Sequence, residues 1–259
     1  SMSKNNGSYK TITVIGGGPS GMTAAICAAK QGAGMVRLVE KNGILGRKLL
    51  ATGNGRCNLT NTGSPDAAEA IDFFEELGLL VRTEDEGRVY PYSEQAAAVR
   101  DALAGKLAAL NVEILCGTEV KEVLKEGAGF RIVTDRESLL SDAVILAPGG
   151  KAGPQYGSTG DGYRFAKAFG HNIVRIMPSL VQMVSDQPFF RELKGVRSKG
   201  RAGLIRGEKI VDCETGEIQF TEDGLSGICI FNLSRKYVRG DVIRIDLFPD
   251  YGDRELAEV

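Results

Sequence analysis

The sequence predicts an α/β fold, in which a mostly parallel sheet with helices is followed by a smaller β-rich domain. Segments rich in aliphatic or β-branched residues recur at 11–15, 36–39, 112–115 and 143–146, as is typical of strands buried on both faces of a parallel sheet. Helical periodicity separates several of these runs. After Pro178 the pattern changes to short alternations of polar and apolar residues, which favours a separate β-rich region.

The first elements predict one strand–helix–strand unit. A glycine cluster follows the strand 11–15, and 20–31 carries the small alanines of a helix that packs closely on a sheet. The second strand, 36–39, ends at Glu40. Two strands and a helix in about thirty residues have the size of one βαβ unit, so we expect the strands to lie parallel.

The middle of the chain predicts two further helices and an antiparallel meander. One helix ends near Gly78, and a second runs from Ser93 to about Leu110 with apolar residues at helical spacing. Short strands with turns lie between these helices. The alternating segments 119–125 and 129–134 predict two antiparallel strands.

The C-terminal part predicts a second domain rich in strands. Turns are expected at Arg206-Gly207 and Thr215-Gly216 within 180–222, followed by a helix from Leu225 to Tyr237 and a strand from Val242 to Leu247. We therefore divide the chain into two predicted domains, 1–183 and 184–259.

Composition and charge exclude several classes of protein. With 32 basic and 33 acidic residues the net charge is -1, which argues against nucleic acid or an anionic membrane as a partner. There is no signal-peptide pattern and no apolar run of membrane-spanning length. The five cysteines lack zinc-ligand or dithiol spacing, so we expect no metal site and a location in the reducing cytoplasm. Ser1 ahead of Met2 indicates a tag remnant.

The strongest motif is the glycine cluster Gly16-Gly17-Gly18-Pro19-Ser20-Gly21, which satisfies G-x-G-x-x-G. In such a turn Gly16 permits the bend after the strand, Gly18 leaves room for a pyrophosphate, and Gly21 lets helix and strand pack closely. Glu40, at the end of the second strand, has the position of a carboxylate that accepts ribose hydroxyls. These features predict a dinucleotide site, and the alternative is a glycine-rich turn that only packs.

Two further features favour FAD over NAD. The turn Ala147-Pro148-Gly149-Gly150 follows the strand 143–146 and matches the second glycine turn of FAD-binding Rossmann folds, with Pro148 in place of Thr. The predicted meander occupies the place where those folds insert one. An ordinary strand-ending turn is the alternative for Ala147–Gly150 taken alone.

The loop 46–61 has the composition of a flavin-binding segment. Its glycines allow the backbone to approach a flat ring, its amides and hydroxyls can bond ring heteroatoms, and its basic groups can stabilise negative charge on a reduced flavin. A solvated basic loop is the alternative. The candidate residues of this loop are Gly46, Arg47, Lys48, Thr52, Gly53 and Asn54.

Taken together, these motifs resemble one bacterial family, the NAD(P)/FAD-dependent oxidoreductases of aminoacetone oxidase-like or bile-acid reductase-like type. The resemblance extends to Glu86–Pro91, Lys194–Val196 and Phe220–Gly227. The motif Thr159-Gly160-Asp161-Gly162 is also similar to one in fumarate reductase and ketosteroid dehydrogenase flavoproteins, which reduce or form C=C bonds beside a carbonyl.

The resemblance implies a glutathione reductase-like, FAD-binding Rossmann fold and a set of cofactor contacts. It places the pyrophosphate at Gly16–Gly21 and the ribose at Glu40, with the adenine beside Lys41 and Val120. It places the flavin near Arg47, Lys48, Thr52, Gly53 and Asn54, with Ala147, Gly149, Gly150, Gly160 and Asp161 closing the site. It implies no catalytic acid or base.

Two departures from the family pattern bear on the flavin end of the site. The chain ends within the second domain, whereas the family returns to the first, and the stretch 62–72 is short. Either the protein is truncated, or residues are missing from the sequence at these points. For a truncated protein, we expect the adenosine diphosphate site to be intact and the flavin site to lack one wall.

The predicted function is hydride transfer from NAD(P)H through flavin N5 to a small organic acceptor or oxygen. The alternatives are a nicotinamide-only dehydrogenase and a non-catalytic flavin- or adenine-nucleotide-binding protein. We expect His171 to cap a helix and Cys57 to be a packing residue. Arg88 and Tyr90 either face the substrate or pack a hairpin.

Overall fold

The structure is a computed structural model that describes residues 10–252 and Leu256. The sequence prediction for Ser1 and Met2 lies outside this range. The described residues form two compact units, which divide between Ile173 and Val174. The domain boundary after residue 183 stays a prediction.

The first unit is built on a four-stranded parallel sheet. Its strands are β1 (Thr11–Ile15), β2 (Met35–Glu40), β6 (Glu113–Cys116) and β10 (Ala143–Leu146). Their order is β10-β1-β2-β6, and each neighbouring pair is parallel. The predicted strand–helix–strand unit and the parallel sheet are thereby confirmed.

Two helices cover one face of this sheet. They are α1 (Pro19–Lys30) and α3 (Ala96–Ala109). Met22 and Ile26 of α1 and Leu103 and Leu107 of α3 are fully buried with Leu38 of β2. This apolar layer fixes α1, and therefore the glycine turn that precedes it, against the sheet.

The opposite face packs against an antiparallel meander and one helix. The meander consists of β7 (Val120–Glu126), β8 (Gly129–Thr134) and β9 (Ser138–Ser141), and the helix is α4 (Asp161–Ala168). Ile15 and Val39 of the sheet pack with Ile132 of the meander and Phe165 of α4. The meander is confirmed, although its third strand was not predicted.

A small antiparallel sheet completes the first unit. Its strands, in the order β3-β5-β4, are β3 (Thr60–Asn61), β4 (Val81–Thr83) and β5 (Arg88–Pro91). The helix α2 (Ala67–Glu76) lies between β3 and β4 along the chain. Gly78 has a φ of 83° and follows this helix, as the sequence predicted.

The second unit is an antiparallel sheet with helix α6 packed on it. Its elements are β11 (Met183–Val184), α5 (Phe190–Leu193), β12 (Arg197–Arg206), β13 (Lys209–Phe220), β14 (Gly224–Ser226), α6 (Ile228–Ser234) and β15 (Val242–Asp246). The strand order is β11-β14-β13-β12-β15. Leu204, Ile218 and Phe220 of the sheet are buried with Ile230 and Leu233 of α6.

Two predictions in this unit are wrong. No turn occurs at Thr215-Gly216, because β13 continues through both residues opposite β12. The helix predicted from Leu225 begins instead at Ile228, because Leu225 belongs to β14 and pairs with Phe220. In the described part of the chain, no helix has the length and apolar character needed to cross a membrane.

Candidate functional site

A cavity of about 380 Å³ opens at the carboxyl ends of β1, β2 and β10. Ile15, Glu40 and Ala147 line it where these three strands end. Open α/β sheets bind their ligands at this edge. Predicted site residues that line the cavity are Gly16, Gly18, Pro19, Ser20, Glu40, Lys41, Arg47, Lys48, Thr52, Val120, Ala147, Gly149 and Asp161.

In the first glycine turn, backbone atoms leave no space for a side chain at Gly16 and Gly21. Gly16 has a φ of 109°, and a Cβ atom there would lie 2.1 Å from the carbonyl oxygen of Ala147. A Cβ atom at Gly21 would lie 1.8 Å from the carbonyl oxygen of Gly16. Both residues must therefore be glycine for α1 to approach the ends of β1 and β10 this closely.

Gly18 differs from these two glycines because it faces open space. A Cβ atom built on it meets nothing within 4 Å, and the residue lines the cavity. Its φ and ψ of -76° and -179° are accessible to any residue. Gly18 directly precedes α1, and the amides of Ser20 and Gly21 lie in the first helical turn, where N–H groups lack intrahelical acceptors. The site thus offers amide donors and a positive helix end.

Glu40 is a buried carboxylate, 8% exposed, with donors on both oxygens. Its Oε2 accepts a hydrogen bond of 2.6 Å from the backbone amide of Gly17. Its Oε1 accepts from the backbone N and from Nδ2 of Asn42, at 2.7 and 2.8 Å. Because a carboxylate has about four lone-pair positions, roughly one remains, on Oε2, for a further donor. Glu40 therefore also holds the glycine turn against the end of β2.

Asn42 is a cavity-lining residue that the sequence did not single out. Besides its bonds to Glu40, its Nδ2 donates to the carbonyl of Tyr156 at 3.2 Å, and its Oδ1 accepts from Nη1 of Arg47 at 3.0 Å. Its own carbonyl accepts from the amide of Gly117 at 2.8 Å. Its type and its place two residues after Glu40 were visible in the sequence, but its contacts were not.

Lys41 and Asp161 form an ion pair at the cavity, with 2.9 Å between Nζ and Oδ2. Thr159 Oγ1 lies 2.9 Å from each of these atoms. Partial burial raises the pKa of Asp161, but the hydrogen bonds from Lys41 and Thr159 outweigh it, so the pKa lies below the ordinary value. The family resemblance implied that Lys41 lies at the adenine end and Asp161 at the flavin end of the cofactor, whereas the structure joins the two side chains directly.

Only some of the predicted flavin-binding residues of the loop 46–61 line the cavity. Gly46 does not line the cavity, but its amide donates to the carbonyl of Gly17 at 2.8 Å and so connects loop and turn. Lys48 donates from Nζ to the carbonyl of Ala152 at 2.7 Å. Thr52 lines the cavity, whereas Gly53 and Asn54 have left-handed φ values of 56° and 60° and lie outside the lining.

The second glycine turn, Ala147–Gly150, also contributes to the cavity wall. Ala147 and Gly149 line the cavity, while Gly150 and Gly160 do not. Ser158, 6% exposed, also lines it and was not singled out from the sequence. Further lining residues that sequence reasoning missed are Asn58, Thr118, Glu119, Tyr156 and Gly157.

Cys57 is 6% exposed, belongs to the core under α1 and α3, and lines the cavity as well. Burial raises the pKa of its thiol, which disfavours a reactive thiolate. His171 is exposed and lies outside the lining; its amide donates to the carbonyl of Ala166 at the end of α4. This placement fits the predicted capping role.

Tyr90 is buried in the small sheet and does not line the cavity. The guanidinium of Arg56 lies 4.0 Å from its ring centre and forms ion pairs with Glu84 and Glu94. Arg88 also lies outside the lining. For Arg88 and Tyr90, the structure therefore favours packing over substrate contact.

Comparison with known proteins identifies relatives that match most of the chain. The HI0933-like protein Rossmann domain matches residues 10–70 and 64–244. A 3-dehydro-bile acid delta(4,6)-reductase of Clostridium scindens is 37% identical over 92% of this chain and 64% of its own length. A ribosomal RNA dihydrouridine synthase of Escherichia coli is 26% identical over 92% of this chain and 63% of its own. The chain thus spans somewhat less than two thirds of these relatives.

Among solved structures, that of Thermovibrio ammonificans THI4 is similar over 54% of this chain and 57% of its own, with 21% identity and a TM-score of 0.43.

Proposed function

The chain belongs to the HI0933-like Rossmann-domain family, and from this premise we propose that it is an FAD-dependent oxidoreductase. In this proposal NAD(P)H donates hydride, and a small organic molecule or oxygen accepts it. The family and the FAD-binding Rossmann-type fold agree with the fold class and family resemblance inferred from the sequence.

The residues of the cavity fit the adenosine diphosphate half of FAD. The observation that best supports the proposal is the environment of Gly18, which faces the cavity beside the first turn of α1 and has space for a ligand. Gly16 and Gly21 of the same turn have no such space, because backbone atoms lie against them. Amides at that helix start suit a diphosphate. Glu40 retains one acceptor position that suits a ribose hydroxyl, and Lys41 and Val120 line the same cavity.

The protein's part in the reaction would be binding and electrostatics. Bound FAD would supply two-electron redox chemistry that no amino acid side chain provides. Arg47 and Lys48 would favour negative charge on the cofactor, since both cations line the cavity. Ala147 and Gly149 would form part of the cavity wall around the cofactor, and Lys41 would hold the Asp161 carboxylate in place.

The names of the two relatives support one class of organic acceptor. A delta(4,6)-reductase of 3-dehydro-bile acids and a dihydrouridine synthase both carry names that describe reduction of a C=C bond. In uridine and in an unsaturated 3-oxo steroid this bond is conjugated to a carbonyl. We therefore propose a conjugated enone as acceptor. The net charge of -1 supports a small molecule rather than nucleic acid as the carrier of this enone. The spacing of the five cysteines supports a place in the reducing cytoplasm.

The test combines a spectrum with turnover. Purified protein, reconstituted with FAD and freed of excess, is expected to show flavin absorbance and to oxidise NADPH in molar excess over enzyme when a small cyclic enone is added. Turnover with a nicotinamide but without flavin would indicate a nicotinamide-only dehydrogenase. Bound flavin that is never turned over, in this chain and in a version extended to the length of the relatives, would indicate a non-catalytic binding protein.

A further inference from the structure

Asn42 has every polar atom engaged with a different part of the cavity wall. Its backbone N and Nδ2 donate to Glu40, Nδ2 also donates to the Tyr156 carbonyl, and Oδ1 accepts from Arg47. Its carbonyl accepts from Gly117, at the turn after β6. One side chain thereby connects the end of β2, the turn before Gly157 and the basic loop.

Only an amide of this length satisfies these contacts. The side chain must donate two hydrogens from one atom and accept one hydrogen at the other, which aspartate cannot do when ionised. An ionised aspartate at this position would also place a second negative charge about 3 Å from Oε1 of Glu40, and like charges at that distance cannot both remain ionised easily. Alanine would leave Glu40 with only its backbone donors.

We propose that Asn42 is a positioning residue that orients the carboxylate of Glu40 and the guanidinium of Arg47 for the adenosine diphosphate half of FAD. This inference rests on the proposed function. Asn42 acts through these two residues, because its own polar atoms are already used within the protein. Two bonds to Oε1 orient the carboxylate and its free acceptor position on Oε2, and loss of the Asn42 side chain removes one of them.

The proposal predicts a pH-dependent defect in one variant. In Asn42→Asp, deprotonation creates repulsion with Glu40, whereas protonation of the pair at low pH restores an O–H donor between the two carboxyl groups. Affinity for FAD should therefore be lost at high pH and recovered in part at low pH. Other titratable or charged groups line the same cavity, namely Lys41, Arg47, Lys48, Glu119, Tyr156 and Asp161, and Cys116 interacts electrostatically with Glu40. The wild-type chain carries the same groups, so its pH dependence serves as the reference for the variant.

The experiment measures dissociation constants of FAD and of ADP by titration calorimetry at pH 8 and pH 5. Asn42→Asp should weaken FAD binding by at least about tenfold at pH 8, relative to wild type, and by clearly less at pH 5. Asn42→Ala should lose affinity by a similar factor at both pH values, because it has no group to titrate. The matched control is Asn111→Asp, whose exposed, left-handed position after α3 lies outside the cavity and tolerates aspartate.

Each outcome supports or overturns a specific claim. Equal loss for Asn42→Asp at both pH values, or no loss, overturns the positioning role. If both Asn42 variants fail to fold while Asn111→Asp folds, Asn42 is a structural residue and the proposal is wrong. If the wild-type chain binds neither FAD nor ADP, the proposed function fails instead, whatever the variants do.

Discussion

Replacing Gly18 with valine introduces a side chain into the cavity without disturbing its walls. A Cβ atom at this position meets nothing within 4 Å, and the backbone angles of -76° and -179° suit a β-branched residue. Gly18 makes no side-chain cap for α1, so the free energy of unfolding should change by no more than about 1 kcal/mol. The added methyl groups would occupy the space that the proposal assigns to the diphosphate.

The expected loss of affinity follows from the bonds that the diphosphate could no longer make. Losing two charge-assisted hydrogen bonds to amides, at about 1.5–3 kcal/mol each, costs about 3–6 kcal/mol. This corresponds to a roughly 10²- to 10⁴-fold increase in the dissociation constant of FAD. Steric displacement of the diphosphate adds to that loss.

The assay is titration calorimetry with FAD, together with a thermal unfolding curve that checks folding. The matched control is Gly105→Val in α3, where a Cβ atom also meets nothing within 4 Å and which lies outside the cavity. Gly105→Val should bind FAD as the wild type does. A folded Gly18→Val protein that keeps wild-type affinity would refute the placement of the diphosphate at this turn.

The remaining predictions concern the carboxylates, the sheet and a helix. Glu40→Gln should weaken FAD binding at least about tenfold by calorimetry, because the N–H groups of the new amide would face the N–H donors that bind the carboxylate in the wild type. Unchanged affinity would count against the ribose assignment. Thr13→Val should raise the free energy of unfolding by about 1–2 kcal/mol in urea titrations, because the buried Thr13 hydroxyl has no hydrogen-bond partner within residues 10–252. A decrease in the free energy of unfolding would show that this hydroxyl is hydrogen-bonded in the folded protein. Gly105→Ala should raise that free energy by about 1 kcal/mol through helix propensity, and an unchanged urea midpoint would contradict this. Lys41→Met should raise the pKa of Asp161. The lowered pKa of Asp161 stabilises the folded protein above the ordinary value of 3.8, and this contribution is lost as pH falls through the folded pKa. The stability difference between Lys41→Met and wild type should therefore be present at pH 7 and shrink below about pH 3.8, and a constant difference would exclude this linkage.

The central elements of the first unit could be predicted because their signals are local. The apolar run Thr11–Ile15, the glycine cluster after it and the acid that ends β2 are each visible within a few residues. The strand Ser138–Ser141 was missed because it is short and its pairing with β8 depends on a turn that composition does not mark.

In the second unit a local turn signal was overridden by tertiary packing. Thr215-Gly216 has turn composition, yet Gly216 pairs with Gly200 in the middle of a long hairpin. A Cβ atom on Gly216 would lie 3.6 Å from Cβ of Cys229 in α6. The glycine there is consistent with close approach of the helix rather than a bend in the chain.

The candidate site shows the same division between local and long-range information. Residue type and position predicted Glu40 as a site residue, the family resemblance implied Lys41 and Asp161, and all three line the cavity. Their partners could not be predicted, because the Lys41–Asp161 pair and the Asn42–Tyr156 bond join residues more than 110 positions apart. Such contacts are fixed by the packing of α4 and the preceding turn against the sheet.

The most direct test of the FAD assignment is a competition experiment on the wild-type chain. Protein stripped of nucleotides is dialysed against FAD, and the bound flavin is quantified per chain before and after addition of excess ADP. The FAD assignment predicts one FAD per chain, which excess ADP displaces, since the cavity of the first unit would hold the adenosine diphosphate half of FAD. Failure to retain FAD, or retention that ADP does not affect, would contradict it.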